Sequence, residues 1–218
     1  MSTISEIVTG IISRAPFLEE ALNDGLINVS ALARNILPEV KQQYGDEVKA
    51  GAVVMAINRM APGYYKKINI GIKDFVHRLG DIISRSNLED YTYAYSPTLI
   101  RKQLNLLHTI GTDRRIFYTF SRGISETTIV ISNAAREYMK KIFSGETLLS
   151  KKENLASITL QLPEDSTEIT GVYYFILKNL AWKGIPITEV ISTTNEFTIV
   201  VSERDIEKAF SILVNLKR

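Results

Sequence analysis

The sequence predicts an α+β protein: a helical N-terminal domain (residues 1–85) followed by two tandem βαββα modules (86–150 and 151–218). Three observations predict it. The stretch ETTIVISN (Glu126–Asn133) returns 70 residues later as EFTIVVSE (Glu196–Glu203), with five of the first seven positions identical, each time just ahead of a helix. The flanking segments read in the same order in both copies, which is the mark of internal repetition. The first 85 residues lack strand-like alternation and carry helix caps and stops instead.

In the N-terminal domain, ISEIVTGIISRA and PFLEEALNDG form two helices, with Pro16 at a start and Gly25 at a stop. INVSALARNILPEV follows, with Asn28 or Ser30 as its cap, then the polar break KQQYGDE, then the helix VKAGAVVMAINRM. SALARNI followed by a further helix fits a helix-turn-helix habit, and Arg59–Lys73 would then be a wing presenting Arg59, Lys66 and Lys67 to nucleic acid. Against this, the spacer from Leu37 to Glu47 is longer than the usual tight turn. A helical dimerisation or docking domain is the commoner outcome of such a pattern. Phe75–Arg85 bridges to the first module.

In each module a strand leads into a helix, a hairpin and a second helix. The first copy uses DYTYAYS, PTLIRKQLNLLHTIG, the hairpin RIFYTFSRGISETTIVIS and NAAREYMKKIFSG. The second uses LASITLQL, VYYFILKNLAWKG, IPITEVISTTNEFTIVVS and SERDIEKAFSILVNL. Ile158, Leu160 and Leu162 alternate with Ser157, Thr159 and Gln161, as in a strand with one buried face. Ala209, Phe210, Leu213 and Leu216 fall at helical spacing. Both helices of a module belong on one face of a small sheet. A ferredoxin-like module needs a fourth strand that neither copy supplies after its last helix. Residues near Lys66–Lys73 or the linker before Leu155 are the candidates to lend it, and the alternative is a three-stranded sheet.

Composition sets limits on function. The 218 residues are 45% hydrophobic and 23% charged, ordinary for a chain that buries a core. The net charge of +2 is spread evenly, with 10 Lys+Arg against 9 Asp+Glu in residues 1–85 and 16 against 15 in residues 86–218. No segment is therefore a polycation drawn to nucleic acid. The chain has no cysteine, which excludes disulfides, thiolate metal sites and a cysteine nucleophile. With no signal-peptide pattern and no apolar run long enough for a bilayer, a cytoplasmic address without membrane contact is expected.

Catalytic motifs are missing as well. Neither GxxxxGK[ST] nor GxGxxG nor GxSxG occurs, and the only histidines, His77 and His108, stand alone on helical faces. Glu164-Asp165 reads as an exposed turn. The sequence thus predicts no enzyme, no metal and no cofactor.

The run GVYYFILKNLAWKGIPITEVISTTNEFTIVVSERDIEKAFSIL (Gly171–Leu213) resembles an ACT domain, and more narrowly the paired ACT regulatory region of aspartate kinases. The features that carry the resemblance are Gly171 before a hydrophobic helix, Gly184-Ile185 after it, VISTTNEFTIVV and a closing helix. It is good over Leu155–Leu216, weaker over about Asp90–Ser144 and absent before residue 85. The kinase domain has no counterpart here. The resemblance implies two ferredoxin-like modules that sense a small molecule, an amino acid in particular, and commonly assemble as a homodimer.

Carried over by position, a ligand carboxylate would meet the backbone at Thr170, Gly171 and Val172, flanked by Leu162 and Ser166. Thr188 and Glu189 would follow on the next strand, with Glu189 taking the ligand ammonium. The first copy has Arg101 where Gly171 stands, so its loop is expected not to bind in the same way. Two other functions stay open on the sequence: a DNA-binding transcription regulator with an ACT-like effector domain, and a ligand-free dimerisation or scaffold protein with a protein partner at residues 1–85.

Overall fold

The computed structural model describes residues 2–60 and 64–217, with backbone alone for residues 16 and 64–70. It divides into two compact units. One comprises Met1–Asp74 with Ile169–Gly171, and the other Phe75–Glu168 with Val172–Arg218.

The first unit is helical: α1 (Ile4–Ser13), α2 (Pro16–Asn23), α3 (Val29–Tyr44), α4 (Ala50–Asn58) and the greater part of α5 (Tyr64–His77). Thr3 opens α1 with a reciprocal cap: the Glu6 amide donates to Thr3 Oγ1 and the Thr3 amide to Glu6 Oε2. Asn28 caps α3 by accepting from the Ala31 amide. Ile7, Val8, Ile11 and Ile12 of α1 pack with Leu32, Ala33, Ile36 and Val40 of α3 and with Val53, Ala56 and Ile57 of α4. Two details differ from the sequence reading. The polar run after Pro38 belongs to α3, which continues to Tyr44 because exposed Lys and Gln are good helix formers and Pro38 costs it a single backbone donor. Residues 64–77 form a helix and not a β-wing, so Lys66 and Lys67 lie on α5. Their side chains fall outside the described residues. Arg59 is exposed at the C-terminal end of α4.

The second unit is built on one antiparallel sheet of six strands in the order β2-β3-β1-β4-β6-β5. Its elements are β1 (Ile82–Ala94), α6 (Leu99–Ile110), β2 (Tyr118–Arg122), β3 (Glu126–Ser132), α7 (Arg136–Ile142), β4 (Leu148–Gln161), α8 (Val172–Ala181), β5 (Glu189–Ser192), β6 (Glu196–Ser202) and α9 (Ile206–Asn215). The repeat is explicit in the register. Leu88 lies opposite Ser132 in the first copy and Leu155 opposite Ser202 in the second. Thr92 and Thr128 hydrogen-bond through their hydroxyls across β1 and β3, as Thr159 and Thr198 do across β4 and β6.

The missing fourth strand is found in the long central pair. β1 and β4 run antiparallel along their whole lengths, from Ile82 opposite Leu160 to Tyr93 opposite Leu148. Residues 88–94 of β1 are the first strand of copy one, while Ile82–Arg85 pair with the first strand of copy two and complete its four-stranded set. β4 does the converse: residues 155–161 open copy two, and residues 148–152 complete copy one. Of the segments that sequence alone put forward, the linker before Leu155 is a donor. The other donor comes from the stretch read as a bridge.

Tyr91, Tyr93, Ile129 and Ile131 face α6 and α7, where they pack with Leu99, Leu106, Ala135, Met139 and Phe143. The opposite face is covered too. Leu88, Val130, Leu155 and Val200 form a second cluster with Phe117 and Ile191, so β3 and β6 are buried on both faces. This requires the sheet to curl, bringing the inner faces of its two halves together.

Candidate functional site

The loop from first strand to first helix has four residues in copy one (95–98) and ten in copy two (162–171). Both loops are tied to the neighbouring hairpin by the same bond. The Tyr95 amide donates to the Ser125 carbonyl, and the Leu162 amide to the Asn195 carbonyl. In copy two Ser166 adds a second tie, its buried hydroxyl donating to the Thr194 carbonyl at 3.1 Å. Asp165 pairs with Arg78 at 2.8 Å, and the Arg78 guanidinium lowers its carboxyl pKa below the usual range.

Leu162, Ser166 and Val172 are buried in the sheet unit. Thr170 and Gly171 are grouped with the helical unit. Gly171 has φ +88°, the left-handed region that favours glycine, immediately before the first turn of α8. The Thr188 amide donates to the Val200 carbonyl at 2.8 Å, which fixes the start of β5.

Glu189 opens β5 and meets a partner that nothing in the linear pattern places beside it. Its carboxyl faces that of Asp90 on β1, three strands away in the sheet order. Three strand spacings in a flat sheet would put them about 14 Å apart, so the curl makes this contact. Burial raises the pKa of both groups. The negative charge of Asp90, and then that of Glu126, raises Glu189 further, and Lys152, which lies opposite Asp90 on β4, offsets part of the rise in each. Both carboxyls therefore stay protonated to a higher pH than an ordinary carboxylate. Asp90 could have been suspected from DYTYAY, where the tyrosines take one face and Asp90 falls on the other.

In copy one the corresponding loop is occupied by the protein itself. The Glu146 carboxylate accepts from Ser96 Oγ (2.6 Å) and Thr98 Oγ1 (2.5 Å), with Lys102 Nζ 3.2 Å away. A second charged network, on the helix side of β1, joins Glu89 to Tyr91 Oη and to Arg136, with Glu153 and Lys151 beyond. Among the described residues no group of three or more potential ligands is placed to hold a metal ion, and no helix is long and apolar enough to cross a membrane.

No family model matches the chain, and no curated protein matches it. Solved structures do. Aspartate kinase from Clostridium acetobutylicum, described as an allosteric enzyme, matches with a TM-score of 0.53 at 16% identity over 64% of this chain and 35% of that one. The ligand-free regulatory subunit of aspartate kinase from Thermus thermophilus matches with 0.52 at 10% identity, over 64% of this chain and 99% of the subunit. Aspartokinase III from E. coli, in complex with aspartate and ADP, gives 0.50 at 13% identity over 63% of this chain and 33% of that one. The chain thus spans about a third of the whole kinases and nearly all of the free regulatory subunit. In fold, this chain resembles the paired ACT regulatory region of aspartate kinases.

Proposed function

We propose that this is a regulatory protein that senses a small molecule, an amino acid in particular, through ACT-like modules and catalyses no reaction. The observation that carries the reading is the ten-residue loop of copy two, which ends in a left-handed Gly171 at the start of α8. Backbone amides at a helix N-terminus receive a carboxylate, and a residue without Cβ lets it come close. In this reading Thr170, Gly171 and Val172 meet the ligand carboxylate and Leu162 and Ser166 line its side, while Thr188 and Glu189, level with Val200 and Ser157, lie five residues along β4 from Leu162 and are not part of the same pocket. The fold likeness to allosteric kinases and to a regulatory subunit supports the regulatory role. In this reading the helical N-terminal unit is the output domain and the two βαββα copies, with Ile82–Arg85 counted in their sheet, are the sensor modules of a homodimer.

The test is a thermal-unfolding screen of the protein against the twenty amino acids. A ligand at ~100 times its Kd adds roughly 2.7 kcal/mol, a shift of several degrees in a chain of this size. One clear hit, abolished by Gly171→Arg, is expected. A flat screen, or a hit that Gly171→Arg leaves intact, rules the loop out.

A further inference from the structure

We infer that copy one is a carboxylate receptor already filled by its own ligand, Glu146. Its cradle comes from two places in the chain. Ser96 and Thr98 belong to the loop between β1 and α6, and Lys102 to the first turn of α6. Both hydroxyls donate to the carboxylate, one to each oxygen, and the ammonium of Lys102 lies against the oxygen that Thr98 binds. The Glu146 side chain is 3% exposed. Ser96 and Thr98 also contact each other through their hydroxyls at 2.9 Å, and the Thr98 amide donates to Ser96 Oγ, so the donors are held in place before any carboxylate arrives. Lys102 is anchored a second time by donating to the Ser144 carbonyl.

A buried carboxylate is tolerated only where donors replace the lost water. Burial alone would raise the Glu146 pKa, yet the bonds from Ser96, Thr98 and Lys102 outweigh it and hold the group below its usual range. The arrangement is confined to copy one. Leu216 stands 70 residues after Glu146, and Pro163 occupies the place of Ser96 in the second loop. Copy one is therefore closed to outside carboxylates. This rests on copy-one residues alone and holds whether or not copy two binds an effector.

The experiment is chemical rescue in the full chain. Glu146→Ala removes a group that acetate replaces atom for atom, leaving the cradle empty. The variant is expected to melt several degrees below the wild type in sodium chloride. Sodium acetate of equal ionic strength should recover much of that loss, raising Tm by roughly 3–6 °C at about ten times its Kd. The wild type should gain nothing from acetate over chloride. If Glu146→Ala does not fold in chloride, refolding yield in acetate against chloride gives the same readout. Adding Thr98→Val should abolish the acetate effect. An acetate response no larger than that to chloride, or one that survives Thr98→Val, overturns the proposal.

Discussion

Asp90 and Glu189 face each other on the inner face of the sheet with both pKa values raised, and the consequence is a dependence of stability on pH. The folded state therefore binds more protons than the unfolded state in a window that opens near the ordinary carboxylate pKa of about 4. Stability falls as pH rises through that window. Glu189→Gln removes the repulsion and keeps a hydrogen-bonding group. It is expected to add about 1 kcal/mol near neutrality, or roughly 2–4 °C in Tm, and nothing at acid pH where the pair is protonated. Urea melts of both proteins across the acid range check the sign. Glu146 acts oppositely, since its lowered pKa makes its contribution disappear as pH falls. Glu89 offers a second test. It is buried against Arg136, while copy two has Ala156 and Ile206 at the matching positions. Glu89→Ala alone should cost about 1–3 kcal/mol, chiefly by leaving the buried Tyr91 hydroxyl without its acceptor, since the half-exposed Arg136 keeps Glu153. Arg136→Ile should cost less on top of Glu89→Ala than on its own, and a double-mutant cycle reads the coupling between the two.

The elements least legible in the sequence were those whose side chains carry no pattern. Leu148–Asn154 is a strand by its backbone bonds to β1, but every one of its side chains is exposed. No alternation could announce it. LASITLQL was legible because the same strand, a few residues on, has a buried face. The repeat was legible for the same reason, since ETTIVIS and EFTIVVS keep the residues that pack against helices. Each long strand also has an asparagine in the left-handed region at its midpoint, Asn87 with φ +61° and Asn154 with φ +56°. These lie at the register shifts where β1 and β4 pass from one copy to the other. Asparagine tolerates this conformation and a β-branched residue does not. Asn154→Val should therefore cost about 1–2 kcal/mol and Asn154→Gly very little, as urea denaturation would measure.

At the scale of the whole sheet unit, neither copy is complete without the other. A fragment of residues 82–147 lacks the strand that β4 supplies, and it should show no cooperative melt by circular dichroism, whereas the intact sheet should unfold in one transition. How much of the candidate site was legible follows from the same geometry. Gly171 and its loop could be found because a strand, a turn and a helix are contiguous in sequence. The Asp90–Glu189 contact could not, because it depends on a curl that closes a gap of three strands. Glu146 was equally hidden, being 48 residues from Thr98 along the chain.

The long central pair also sets a timetable for synthesis. Residues 88–94 of β1 meet β3 within about forty residues of chain growth, but Ile82 must wait for Leu160. At 5–20 residues per second, the leading half of β1 stands on the ribosome for roughly 4–15 seconds with its hydrogen-bonding edge uncovered. An exposed edge of that kind is an invitation to pair with a neighbouring chain. The polar, largely exposed run SRS at Ser84–Ser86 is well suited to sit out that interval.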